Sequence, residues 1–432
     1  MKFKTCKDLE RSLYIAPNEI RSCCQRFFNK GKMRGDAKLL DIKDGKTPSS
    51  SDIKIARRNL FNKIQKNEAE SCLGCPFIYE AEKTSFTSEV DHLSIEHHSV
   101  CNLRCTYCSD TYYGGKRSKY NIVEFIKYLS ESKAFKNCKQ VVWGGGEPTL
   151  DKSFELIVNE IDKYANPNIY HRVFTNSVRF HKSVKEFLEK GLIKIVTSID
   201  AGTRDKFKKI RGRDKFYEVF ENLKEYASVN PNSVTIKYIF TDDNLDENEL
   251  KNFVLNCIKY NLHDCNFQIS MNYKNEELEL NYLKSITYLM GCFKLNNINK
   301  FFCDDHIAAR FKKLNKKNKK SLIKYLEEKN FLNVILSYDI SKSLNIYGAG
   351  DIAENILKKS SLNESISNVR LYDTDPKKIG KFINGIEVKK PDEILNNDDN
   401  IYISVAQSYD EIHSYLIKLK VDKKRIISGL LL

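Results

Sequence analysis

Three cysteines, Cys101, Cys105 and Cys108, stand in C-x-x-x-C-x-x-C spacing within HLSIEHHSVCNLRCTYCSD, on the loop leaving a short apolar strand over Leu93 to Glu96. Thiolates this close on one loop are metal ligands, and three of them can wrap a cubane iron–sulfur cluster while one of its irons keeps no protein ligand. That open iron can chelate a small molecule. The residues alone also allow a four-ligand zinc knuckle, with His92, His97 or His98 as the fourth donor.

A second motif follows about forty residues later. KQVVWGGGEPTL, Lys139 to Leu150, reads as an apolar strand entering three glycines, Gly144 to Gly146, then Glu147 and Pro148; glycines there let backbone approach a ligand closely. Further strands are expected at Tyr170 to Phe174 before Thr175 and Asn176, Ile193 to Ser198, Val234 to Phe240 and Asn266 to Met271, separated by helical stretches. Apolar strands alternating with amphipathic helices predict a parallel sheet, with functional groups at the C-terminal strand ends.

The cysteine segment, with Tyr107 directly before the third cysteine, resembles the signature of the radical S-adenosylmethionine superfamily, and so does the GGEP segment. The resemblance implies a partial (β/α)6 barrel, a [4Fe–4S] cluster on Cys101, Cys105 and Cys108, and S-adenosylmethionine as cofactor. It places Tyr107 near the adenine and gives the ammonium of the methionine moiety to the Gly144, Gly145 and Gly146 segment and Glu147. Asn176, Ser198 and Arg211 are further expected cofactor contacts, Ser198 and Arg211 with ribose and carboxylate. A guanidinium suits a carboxylate through its planar fork, whereas an Asn at a strand end also serves as a turn residue.

The N-terminal segment holds a second cysteine group: Cys6, the doublet Cys23–Cys24, and the C-x-x-C pair Cys72 and Cys75. Such pairs bite one metal centre, and two further thiolates complete zinc or a [4Fe–4S] cluster with no open position. The arrangement resembles the auxiliary-cluster domain called SPASM, or its shortened twitch form, at the N-terminus. The expected ligands are Cys6, Cys24, Cys72 and Cys75, with Cys23 as the alternative to Cys24. Cys138, Cys257, Cys265, Cys292 and Cys303 lack cluster spacing and read as core residues.

Towards the C-terminus, LNIYGAGDIAENIL gives a strand, Gly348 and Gly350 in a turn, and a helix; VRLYDTDP then puts Asp373 at the end of a second strand, 23 residues beyond Gly350. That is where dinucleotide-binding folds hold a ribose hydroxyl. About 90 residues suffice for a Rossmann-like half-fold, expected to hold a nucleotide or nucleotide-sugar.

The chain's 72 Lys and Arg against 57 Asp and Glu give a net charge of +15, but RFKKLNKKNKKSLIKYLEEK, Arg310 to Lys329, carries much of the excess and reads as a solvated helix or linker. Basic residues elsewhere lack interleaved aromatics, so nucleic acid is not expected as a partner. Neither a signal peptide nor 18 consecutive apolar residues occurs, which predicts a cytoplasmic protein with no membrane partner. The expected fold class is α/β, in four parts: residues 1–90 an auxiliary-cluster domain, 91–305 the core barrel, 306–340 a basic helical linker, and 341–432 the Rossmann-like domain. The expected function is reductive cleavage of S-adenosylmethionine to a 5′-deoxyadenosyl radical. The radical abstracts hydrogen from a small-molecule substrate, a sugar, nucleotide-sugar or related metabolite of surface-glycan biosynthesis, with a flavodoxin or ferredoxin as reductant. The alternatives are a peptide-modifying enzyme of the same superfamily and an iron–sulfur electron-transfer or sensing protein.

Overall fold

The computed structural model describes residues 2–427 except 43–44, 109–113, 166–168, 273–276, 305–306, 308–309, 311–314, 332–342, 351–352, 355–356, 358–368 and 406–407. The chain divides into two units: residues 1–197 with 211–213, and residues 198–210 with 214–432.

In the first unit the strands His92–Ile95, Gln140–Trp143, Tyr170–Phe174 and Ile193–Ser198 pair in parallel and in sequence order. Their apolar side chains Leu93, Ile95, Val141, Trp143, Val173 and Ile195 are buried, and the intervening helices face them with amphipathic stripes. In helix Ile122–Glu131, for example, Asn121 caps the N-terminus by accepting from the Glu124 amide, and Ile122, Phe125, Ile126 and Leu129 are buried.

The first 90 residues are not set apart as the sequence predicts. Strand Ser12–Ile15 pairs in parallel with His92–Ile95, and Glu19–Arg21 and Lys38–Asp41 extend that edge antiparallel. Helix Ser50–Gln65 starts from a capping box of Ser49 and Asp52 and buries Ile53, Ala56, Arg57, Leu60 and Ile64. The fully buried Arg57 donates to three carbonyls, Thr87 at 2.6 Å, Glu89 at 3.1 Å and Ser12 at 3.0 Å, tying the helix to strand Ser12–Ile15 and to the segment leading into His92–Ile95. These strands are too short to show as separate periodic runs, and their apolar faces find cover only on the core sheet.

In the second unit Val234–Phe240, Asn266–Met271 and Phe301–Cys303 pair in parallel. Helix Lys316–Glu328, from the basic stretch, is no free linker: it buries Leu322 and Leu326, and Tyr325 and Lys329 hold the Glu247 carboxylate at 2.8 and 2.6 Å. Lys317, Lys320 and Lys324 are exposed, and only such a solvated side is visible in a charge count. Cys138 of the first unit and Cys257, Cys265, Cys292 and Cys303 of the second are all buried.

The C-terminal sheet runs in the order Phe382–Ile383, Ile386–Lys389, Val369–Tyr372, Leu344–Tyr347, Asn400–Ile403, Ile426–Ile427. All but the first strand are parallel, so the order by sequence is 3-2-1-4-5, with the direction of winding reversing beside Leu344–Tyr347. This is more than a half-fold: it is the doubly wound order, cut short by strand length. Among the described residues no helix is long and apolar enough to cross a membrane.

Candidate active site

The first strand delivers the cysteine loop. Leu103 N–H donates to Cys101 Sγ at 3.4 Å, Cys108 N–H to the Cys105 carbonyl at 3.1 Å, and the Arg104 amide is fixed at 3.0 Å to the Arg211 carbonyl. The loop is thus pinned at both ends of the triad, and one sulfur already accepts amide donors in the manner of thiolates in iron–sulfur proteins. The donor set of three thiols on a turn fits a cluster with one iron left open.

The glycines sit where backbone meets backbone. The Gly145 amide plane adopts φ +87°, and a Cβ there would stand 2.6 Å from the His98 carbonyl; at Gly146 it would stand 2.2 Å from the Val100 carbonyl. Gly146 N–H donates to His98 and Glu147 N–H to Val100, so the GGEP segment is sewn to the residues preceding Cys101.

Glu147 is buried, and its carboxylate is already occupied. Oε1 accepts from Thr149 N–H at 3.2 Å, Thr149 Oγ1 at 2.7 Å and Thr175 Oγ1 at 2.9 Å, while Oε2 accepts from Asn176 N–H at 2.6 Å. Burial raises its pKa and these four donors only partly offset that. The carboxylate therefore braces the third strand end against the second. Asn176, in turn, donates from Nδ2 to Asn102 Oδ1 at 2.6 Å and to Cys101 Sγ at 3.5 Å. Sequence reasoning missed Asn102, which nothing but its place between the cysteines marks.

Arg211 is buried, with its guanidinium 5.8 Å from the Tyr107 ring centroid and Nη1 bonded to the Tyr107 hydroxyl. Ser198 is half-buried and belongs to the second unit. Glu96, also missed, accepts from the Tyr14 hydroxyl and lies against Gly144, where a Cβ would be 3.0 Å from its Oε1.

The N-terminal cysteines gather around a small cavity lined by Cys6, Cys23, Cys72 and Cys75 together with Phe27 and Phe77. Cys24, the expected ligand, is exposed and does not line it; Cys23, the alternative, does. Each lining sulfur has a donor. Cys6, the N-cap of helix Lys7–Arg11, accepts from Leu9 N–H at 3.3 Å; Cys23 accepts from the Ala37 and Gln25 amides, Cys75 from those of Phe77 and Ile78, and Cys72 lies 3.8 Å from Ser71 Oγ. Burial pushes the Cys6 thiol up to about 12 and the Cys23 thiol to about 11, so four thiolates form here together only around a cation.

In the C-terminal sheet, Gly348 at φ +102° is required by packing, since a Cβ would meet Val405 Cγ2 at 2.2 Å; Gly350 faces open space. Asp373 is committed internally. Oδ2 accepts from Ala349 N–H and from Lys378 Nζ, both at 2.8 Å, and Oδ1 from Asp375 N–H at 2.9 Å. Burial would raise its pKa, but Lys378 and the two amides outweigh that and hold it below the usual carboxylate range.

A parallel α/β core with a triad of thiols on its first strand-end loop defines a class of iron–sulfur cofactor proteins. A family model described as the Radical SAM superfamily matches residues 95–254, so the chain carries a domain of that family, whose members use a [4Fe–4S] cluster and S-adenosylmethionine. A second model, described as C2185-like, N-terminal, matches residues 340–427. Among curated proteins the chain is similar to the GTP 3',8-cyclase of Vibrio parahaemolyticus, 34% identical over 166 residues that are 37% of this chain and 48% of that one. It is likewise similar to the GTP 3',8-cyclase of Pasteurella multocida, 32% identical over 161 residues, 35% and 47% of the two. The chain spans about half the length of these curated relatives. Among solved structures, the chain is similar to SuiB of Streptococcus suis bound to precursor peptide SuiA, 16% identical over 61% of this chain and 66% of that one, with a TM-score of 0.43.

Proposed function

We propose that this chain reductively cleaves S-adenosylmethionine and directs the resulting radical at a small, nucleotide-linked substrate. The observation that carries the first half is the lacing of the Cys101–Cys108 loop to the GGEP segment and to Asn176. When bound, the cluster and S-adenosylmethionine supply a one-electron cleavage yielding a 5′-deoxyadenosyl radical.

The chain's own residues do the positioning. Cys101, Cys105 and Cys108 hold three irons and leave the fourth for the amino and carboxylate groups of the cofactor. The carbonyls of the Gly144 to Gly146 segment take the ammonium, because Glu147 is occupied as a brace. Tyr107 would lie beside the adenine, Asn176 would be a further cofactor contact, and Arg211, held over Tyr107, would pair with the carboxylate. The N-terminal pocket holds an auxiliary [4Fe–4S] cluster on Cys6, Cys23, Cys72 and Cys75, supported by a hydrogen-bond donor at every sulfur.

For the substrate, the doubly wound C-terminal sheet supports a nucleotide-linked metabolite, a nucleotide-sugar among them, since ligands of such sheets bind where the winding reverses. There the open face of Gly350 lies near the turn that Asp373 secures, so Asp373 acts through the turn and not by holding ribose with both oxygens. A flavodoxin or ferredoxin is the reductant.

The test is anaerobic. With reconstituted protein, dithionite and S-adenosylmethionine, 5′-deoxyadenosine should form, and the Cys105→Ala variant should form none. Cleavage by that variant would refute the triad assignment. Calorimetric titration with a panel of nucleotide-sugars should give binding that Gly350→Asp abolishes; no binding by any of them would refute the substrate reading alone.

A further inference from the structure

We propose that His97, His98 and Asp151 form a mononuclear zinc-class metal site, separate from both groups of cysteines. Each of the three brings one donor atom within 4.8 Å of the other two. His97 and His98 are 4% and 7% exposed, their rings meeting edge-on with centroids 4.8 Å apart at 82°. His97 Nε2 lies 2.6 Å from Asp151 Oδ2, and Asp151 is itself steadied by Ser153 N–H at 3.0 Å on Oδ1.

What points to a ligand is the remainder. His97 Nδ1, His98 Nδ1 and His98 Nε2 are buried and have no hydrogen-bond partner. Neutral imidazole offers one donor and one acceptor, and leaving both unmet in a protein interior costs on the order of 1–3 kcal/mol per group. Two imidazoles and a carboxylate are the donor set zinc takes in three-ligand sites, at roughly 2.0–2.2 Å per bond, with water completing the shell.

Both ligand segments belong to the cofactor loops. The His98 carbonyl accepts from Gly146 N–H at 3.1 Å, the His97 carbonyl from Ser118 Oγ at 2.9 Å, and Asp151 follows the GGEP turn directly. A cation at this point clasps the entry of the cysteine loop to the exit of the glycine loop. The inference stands on these three side chains and does not depend on the substrate proposed above.

The test uses the full chain with its iron sites filled, given one equivalent of Co2+ as a spectroscopic stand-in for zinc under anaerobic conditions. X-ray absorption at the cobalt edge should show nitrogen and oxygen neighbours and no sulfur. His98→Ala and Asp151→Asn should each lower cobalt affinity at least tenfold with iron per chain unchanged. Sulfur neighbours, no cobalt retained by the unaltered protein, or variants that bind cobalt as well as it does would each overturn the site. Should a variant lose iron as well, the cobalt spectrum of the unaltered protein decides.

Discussion

The indole N–H of Trp143 donates to Nδ1 of His171 at 2.9 Å, which makes Nδ1 an acceptor and places the imidazole proton on Nε2. Both residues lie inside the sheet that carries the cysteine loop, Trp143 one residue before the glycines.

Complete burial pushes the His171 pKa down from 6.5 to about 3. The unfolded chain therefore binds a proton below pH 6.5 that the native state refuses until about pH 3, so stability present at neutral pH is lost as pH falls through that window, by up to about 1.4 kcal/mol per pH unit. Denaturant midpoints between pH 7 and 4 should fall accordingly. His171→Gln keeps an acceptor for Trp143 without the titration and should flatten the slope; an unchanged slope would assign the acid sensitivity elsewhere.

Of the cysteine doublet, only Cys23 lines the N-terminal cavity. Cys23→Ala should lower iron from about eight to about four per chain, the content of one cubane, and Cys24→Ala should leave it unchanged. The reverse pattern in a colorimetric iron assay would restore Cys24 as the ligand.

Gly146 leaves no room for a side chain against the Val100 carbonyl. Gly146→Ala must push the glycine loop off the cysteine loop, costing about 1–3 kcal/mol as an overpacked contact. Weakened S-adenosylmethionine binding should accompany the loss of stability. A variant with both unchanged would mean that the two loops are not held as described.

Arg57 joins helix Ser50–Gln65 to three carbonyls with no carboxylate among its bonded partners. Arg57→Met keeps the stem and abandons those carbonyls, a loss of roughly 3 kcal/mol or more on the scale of about 1–3 kcal/mol per unsatisfied buried group. Thermal unfolding should show it, with the iron of the N-terminal site lost first.

The sequence was most legible where chemistry and period coincide. The strands Tyr170–Phe174, Ile193–Ser198, Val234–Phe240 and Asn266–Met271 fall where apolar runs predict them, and Cys101, Cys105 and Cys108 announce themselves by spacing. Cys23 and Cys24 were not separable, because neighbouring residues on extended chain face opposite ways and spacing is blind to which faces in. Nor could Glu147 be read as a brace, since its donors Thr175 and Asn176 lie a whole helix further on. The packing of helix Lys316–Glu328 was hidden because lysines outnumber the few apolar residues that decide its position.

The parallel pairing of Ser12–Ile15 with His92–Ile95 has a practical side for anyone dividing this chain. A fragment beginning near residue 91 would present the bare flank of His92–Ile95, a row of unsatisfied amides and carbonyls that invites fibre-like stacking or capture by another copy. The amino-terminal segment is thus a selvedge for the sheet as well as a holder of thiols, and a shortened protein that precipitates would say nothing about whether its cofactor loops are sound.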